Sequence, residues 1–207
     1  MELKFGITMR VTNPSEYDEP RDSIARDWSD FMLCNFPNAK FLFIPNIGKN
    51  VIDYIKKWNI DVLIFSGGDD LGKTLDRDNT ENILLEYALK VETPIIAVCR
   101  GLQLVHTYFG GEIKNGEEEF VFKHRAVNHN IITDTGIVNV NSYHTNRIDE
   151  NSVHKDFEIF ARCEMDNSIE GLRNRNILGV MWHPERKNLS PEYNKLLLEN
   201  FLKSYEK

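Results

Sequence analysis

A chain of 207 residues, 41% hydrophobic and 28% charged, is long enough to bury a full core and has the balance of a water-soluble globular fold. Its 25 basic and 32 acidic side chains leave a formal charge of −7, which argues against a nucleic-acid-binding surface. The 3 cysteines, Cys34, Cys99 and Cys163, are scattered and form no Cys-x-x-Cys pair, which argues against a disulfide framework or a zinc site and for a reducing compartment.

The N-terminus enters a strand with no signal-peptide pattern, and no apolar run reaches membrane-spanning length. The expectation is one cytoplasmic domain over residues 1–207 with neither nucleic acid nor membrane as partner. Residues 3–8 read as a first strand, followed by a polar loop through Thr12, Asn13 and Pro14. Ile24, Trp28, Phe31 and Met32 then share a helical face, with Asp22 or Ser23 as the expected N-cap and Cys34 as a packing residue near the end. Residues 41–44 form a second strand, and Val51, Ile52, Ile55 and Trp58 mark a second amphipathic helix. A third strand at 62–65 runs into Ser66-Gly67-Gly68-Asp69-Asp70, and Ile83, Leu84, Tyr87 and Ala88 mark a third helix capped by Asn79 or Thr80. Residues 95–98 are apolar on both faces, as in a strand buried in a parallel sheet, and lead to Cys99. Leu102, Val105 and Phe109 follow at helical spacing until Gly110-Gly111 stops the helix.

Beyond Glu112 the helical period fades, and residues 120–122 and 137–140 look like hairpin strands. Phe157, Ile159, Ala161 and Cys163 alternate, so Cys163 is expected to face inward, and residues 169–172 alternate in part. Residues 177–182 form a strand that runs into His183-Pro184-Glu185, and Tyr193, Leu196, Leu197, Asn200 and Phe201 mark a closing helix. Strands alternating with helices predict an α/β fold, a three-layer, mainly parallel sheet with helices on both faces. The second half adds a small antiparallel region.

Three loops fall at carboxyl ends of strands, the edge where open α/β sheets bind ligands. Cys99, between strand and helix, sits at the positive end of a helix dipole, which favours thiolate. The Arg100 N–H would point at a developing oxyanion, and Gly67-Gly68 would let backbone N–H groups approach a carbonyl closely. His183 is a candidate base, and Glu185 could fix its tautomer. Nucleophile, base, orienter and donors together are the parts of an acyl-transfer site. Residues 67–74 also match the phosphate-loop pattern G-x-x-x-x-G-K-[ST]. That reading is set aside because 75–79 is a poor first helical turn, and Asp69-Asp70 would put negative charge in the cradle.

Cys99-Arg100-Gly101-Leu102-Gln103, the Gly67-Gly68 loop, Asn141-Ser142-Tyr143-His144 and Trp182-His183-Pro184-Glu185 match, in order and spacing, the class I glutamine amidotransferase family. The chain resembles in particular the stand-alone branch that includes γ-glutamyl hydrolases. The resemblance implies a flavodoxin-like fold and a Cys-His-Glu triad of Cys99, His183 and Glu185. It implies an oxyanion hole from the amides of Gly68 and Arg100. Gly67, Gln103, Asn141 and the backbone around Ser142, Tyr143 and His144 would bind the γ-glutamyl moiety. It implies no cofactor and no metal. The group beyond the γ-glutamyl bond stays open: a cytidine diphosphoramidate, γ-aminobutyrate, or ammonia delivered to a separate synthetase. Lys123-His124-Arg125, with His129 nearby, could meet a diphosphate.

Overall fold

In the computed structural model, which describes residues 2–187, 189–203 and 205, the first half alternates as its hydrophobic pattern requires. β1 (Lys4–Thr8) is followed by a short hairpin, β2 (Arg10–Thr12) and β3 (Arg21–Ser23), then by α1 (Arg26–Asn35). β4 (Lys40–Ile44), α2 (Val51–Trp58), β5 (Val62–Phe65), α3 (Leu75–Val91), β6 (Ile95–Val98) and α4 (Arg100–Tyr108) complete this half. The second half holds β7 (Ile113–Asn115), α5 (Glu118–His124), β8 (Arg125–Thr133), β9 (Gly136–Tyr143) and β10 (Asn146–Ile148). β11 (Glu158–Cys163), β12 (Ile169–Arg173), β13 (Ile177–Val180) and α6 (Pro191–Lys203) follow.

A 9-stranded sheet in the order β4-β1-β5-β6-β13-β12-β11-β8-β9 carries the molecule. From β4 to β13 neighbours pair parallel, and from β13 to β9 antiparallel. β5 and β6 are wholly buried and send alternate side chains into two cores. Ile64, Ile96 and Val98 join Trp28, Met32 and Leu198 on the face covered by α1 and α6. Leu63, Phe65 and Ala97 join Val51, Leu84 and Leu102 under α2, α3 and α4. This three-layer arrangement leaves the carboxyl ends of β5, β6 and β13 side by side, so the loops after them converge.

Five local expectations are corrected. Asp22 and Ser23 lie in β3 and do not cap α1, whose N-cap is Ala25; Asp22 instead accepts hydrogen bonds from the Asn46 amides. Cys34 is exposed rather than packed. α3 begins at Leu75 with Thr74 as its N-cap, so Asn79 and Thr80 lie inside it rather than capping it. Residues 75–79 are therefore helical after all, with Asp76 and Asp78 favouring the dipole and Asp78 accepting from the Gly72 N–H at 2.8 Å. Asp69 and Asp70 still put carboxylates in the preceding loop, the first paired with Arg10 and the second accepting from Asn146. Residues 120–122 are helical in α5, which buries Phe120 and exposes Phe122. Among the described residues no helix is long and apolar enough to cross a membrane.

Candidate active site

The sheet drives β6 straight into Cys99, and the chain must turn into α4 within that one residue. Cys99 takes φ 52° and ψ −106°, a left-handed conformation that costs a non-glycine residue on the order of 1–3 kcal/mol. Its N–H is held by the Val180 carbonyl of β13 at 2.7 Å, and its carbonyl by the Gln103 N–H at 3.1 Å. A Cβ at Gly101 would lie 2.2 Å from the Phe65 carbonyl oxygen, so glycine is what lets α4 start this close to β5. The sulfur therefore stands at the N-terminus of α4, nearly buried but on the wall of a cleft.

β13 delivers His183 to the side of the Cys99 sulfur. Its Nδ1–H donates to Glu185 Oε1 at 2.7 Å, and both side chains are almost fully buried. Burial pushes the imidazolium down, but the Glu185 carboxylate and the Cys99 sulfur raise it further, to about 9. The ring is packed on two sides. A Cβ at Gly67 would lie 2.5 Å from its Cε1, and the Tyr143 ring meets it edge-on at 5.7 Å.

Behind the cleft lies a buried ionic network that sequence reasoning missed. Glu81 of α3 accepts from Thr8 at 2.6 Å and from Arg77 Nε at 3.0 Å, and it also pairs with Arg100. Arg77 donates in turn to the carbonyls of Ser66 (2.8 Å) and Gly67 (3.2 Å), while Arg100 reaches Asp78. One carboxylate thus ties the Gly67-Gly68 loop to the Cys99-Arg100 corner. A Cβ on Gly68, at φ 155°, would lie 2.2 Å from Arg77 Nη1. The available sign was Arg77-x-x-x-Glu81, an i,i+4 pair at the start of a helix.

The cleft itself, about 490 Å3, is lined by Gly68, Cys99, Arg100, Gln103, Tyr143 and His144, with Asp69, Asp70, Lys73 and Arg125 at its charged walls. The sequence-derived set is only partly gathered there. Asn141 does not reach the cleft; its amide donates to the His183 carbonyl at 2.8 Å and accepts from the His183 N–H at 2.9 Å, which makes it a clamp on that loop. Ser142 is buried, with its hydroxyl on the His124 carbonyl at 2.5 Å. Gly67 abuts the His183 ring and carries no side chain toward the opening. His144 lines the cleft, but its Nε2 faces Glu170, at 3.3 Å. The basic segment is also corrected: His124 and His129 are buried against Glu170, Lys123 pairs with Glu119, and Arg125 alone of the four lines the cleft.

A family model, Peptidase C26, matches residues 40–185. The chain is 30% identical over 194 residues to the gamma-glutamyl-CDP-amidate hydrolase of Campylobacter jejuni subsp. jejuni serotype O:2, covering 89% of this chain and 90% of that one. It is 31% identical over 164 residues to a glutamine-hydrolyzing GMP synthase subunit of Methanococcus maripaludis (strain C5), covering 77% and 81%. Among solved structures, a glutamine amidotransferase of Thermotoga maritima superposes with a TM-score of 0.64 at 12% identity, over 99% of this chain and 86% of that one. A Thermoplasma acidophilum chain provisionally assigned as a GMP synthase subunit gives 0.70 at 17% identity, over 98% and 94%. These two likenesses bear out the α/β, mainly parallel fold.

Proposed function

Since this chain belongs to the Peptidase C26 family of class I glutamine amidotransferase-like hydrolases, we propose that it cleaves a γ-glutamyl amide bond through a thioester on Cys99. The observation that carries the reading is the meeting of the strained Cys99 corner with the His183–Glu185 pair at one sheet edge.

In this mechanism the Cys99 thiolate forms a bond to the γ-carbonyl carbon, and the oxyanion accepts hydrogen bonds from the amides of Gly68 and Arg100. The intermediate collapses, the C–N bond breaks, and the His183 imidazolium gives its proton to the leaving nitrogen. Neutral His183 then takes a proton from water as it attacks the thioester, the C–S bond breaks, and glutamate leaves. Glu185 keeps Nδ1 protonated so that Nε2 serves both steps. Gln103, Tyr143 and His144 line the cleft, whose two signs of charge support binding of the α-amino and α-carboxylate groups of a γ-glutamyl moiety there.

The substrate proposed is γ-glutamyl-CDP-amidate. The Campylobacter jejuni relative supports it, and so do Arg125 and Lys73, cations at the cleft wall suited to a diphosphate. The protein would then act alone, in the cytoplasm, on a small molecule and without a cofactor. The alternative is a glutaminase subunit that feeds ammonia to a separate synthetase, which the Methanococcus maripaludis relative favours; γ-glutamyl-γ-aminobutyrate is a further leaving-group choice.

Glutamate release from γ-glutamyl-CDP-amidate, γ-glutamyl-γ-aminobutyrate and L-glutamine, assayed in parallel, tests the reading. The expected result is turnover of the first over the others, abolished in a folded Cys99→Ala variant. Near-wild-type release by Cys99→Ala would overturn the thioester mechanism. Glutamine turnover appearing only with an added synthetase would replace the stand-alone reading.

A further inference from the structure

A second cluster of reactive side chains lies behind the cleft, where the C-terminal end of α5 meets β8, the residue after β9, and β12. His124, His129, His144 and Glu170 converge there, and the four side chains are at most 2% exposed. Glu170 Oε1 stands 3.3 Å from His124 Nδ1 and 3.3 Å from His144 Nε2, and Oε2 stands 3.7 Å from His129 Nε2. None of these five atoms makes a hydrogen bond. A buried carboxylate facing three buried imidazoles is costly unless positive charge stands among them, because these five atoms have left water without a hydrogen-bond partner.

The outer contacts fix the tautomers. His124 Nε2 lies 2.9 Å from the Asp166 carboxylate, and His144 Nδ1 lies 3.0 Å from the Asn146 carbonyl. Carboxylate and carbonyl oxygens only accept, so both nitrogens carry the proton. In the neutral imidazoles, His124 Nδ1 and His144 Nε2 therefore turn lone pairs toward an oxygen that also has only lone pairs. Lone pairs that converge from three sides call for a cation between them. A tetrahedral zinc with bonds of about 2.0–2.2 Å holds its ligands roughly 3.3–3.6 Å apart, the spacing found around Glu170 Oε1. An imidazole donating its other N–H to a carboxylate or carbonyl is also the usual outer arrangement of a zinc-bound histidine.

We propose that His124 Nδ1, His144 Nε2 and Glu170 bind a divalent transition-metal ion, zinc by ligand type, with His129 Nε2, 3.7 Å from the other Glu170 oxygen, the imidazole placed to become a fourth ligand. Cys163, with Sγ 3.8 Å from His129 Nδ1, backs that fourth imidazole. Full burial leaves no open coordination position for substrate, so the ion is structural. It fastens the segment ending in Tyr143 and His144, one wall of the catalytic cleft, to β12. There the Glu170 carbonyl receives the Met181 N–H at 2.8 Å, two residues before His183. The absence of a Cys-x-x-Cys pair concealed this set, because its ligands come from four separate elements.

The proposal stands apart from the chemistry at Cys99, and its test does not use activity. Metal content of the purified full chain, measured by plasma mass spectrometry, is expected to be near one zinc per chain. The chelated protein, given zinc alone, should melt higher, and given cobalt alone should show the visible absorption of a tetrahedral site. Asp166→Asn should weaken zinc binding by about 10–100-fold, and Glu170→Gln should abolish it, while Cys34→Ser, at an exposed site, keeps it. Should Glu170→Gln fail to fold, the wild-type and Asp166→Asn measurements decide. A wild-type chain that carries no metal, and whose melting is unmoved by micromolar zinc, would overturn the proposal and leave the cluster as protonated histidines around one carboxylate.

Discussion

Replacing Glu185 by glutamine removes one negative charge and keeps the shape of the side chain. The carboxylate lies 2.7 Å from His183 Nδ1, which puts the two charge centres roughly 4 Å apart. At an effective dielectric near 20 their attraction is about 4 kcal/mol, enough to move the imidazolium from about 9 to about 6. The sign follows from the chemistry proposed: the leaving nitrogen needs the His183 proton, so the rate is sustained below the imidazolium pKa and lost above it. In the wild type the basic limb of kcat/KM should fall near pH 9. In Glu185→Gln it should fall near pH 6, and at pH 8 the protonated fraction drops from about nine-tenths to about one-hundredth, a loss on the order of a hundredfold. Lowering the pH toward 5 should recover part of that loss, which a merely misplaced ring would not do. The assay is the pH profile of glutamate release by both proteins. A variant whose basic limb stays near pH 9, whatever its plateau, refutes the assignment of that limb to the His183–Glu185 pair.

Two further outcomes follow from the groups that position the site. Glu81→Gln leaves Arg77 and Arg100 buried with half their counter-charge, a loss of about 3–5 kcal/mol that should lower the melting temperature by on the order of 10 °C; a melt within a degree or two of wild type by circular dichroism would refute the role given to the network. Asn141→Ala leaves the buried His183 N–H without its acceptor, costing about 1–3 kcal/mol, and should lower kcat while KM holds; a change confined to KM would instead put Asn141 against substrate.

What sequence revealed and what it concealed divide along physical lines. β5, β6 and β13 are apolar on both faces, and such runs declare a parallel sheet without help from context. Their order places the loops that carry Gly68, Cys99 and His183 on one edge, so the convergence of these loops is legible in the sequence. Misreadings cluster where tertiary partners overrule local pattern. Phe120-Val121-Phe122 alternates like a strand, yet Phe120 stacks on His124 four residues on, a contact that only a helix makes. The start of α3 looked too polar because Arg77 and Glu81, which read as surface residues, are buried in each other's company. Ser23 bonds the Thr12 hydroxyl across a hairpin whose three-residue strands are too short to show a period. The resemblance puts Asn141 near substrate, and residue type puts His124 and His129 there, whereas their partners, the His183 backbone and Glu170, are distant in sequence.

The place of β13 has a consequence for how the enzyme comes into being. β13 is the last strand in chain order, yet it lies in the middle of the sheet, between β6 and β12. A ribosome releases the chain from its N-terminus, so β1, β4, β5 and β6 can associate while residues 177–180 are still unmade. Until they arrive, Cys99 has no Val180 carbonyl to hold its turn, and no His183 stands beside it. The same insertion joins the parallel and antiparallel halves, a pairing across about 80 residues between Ile95 and Ile177 that closes late because long loops form slowly. Under the proposed mechanism, Cys99 of the nascent chain therefore gains its base only when β13 enters the sheet.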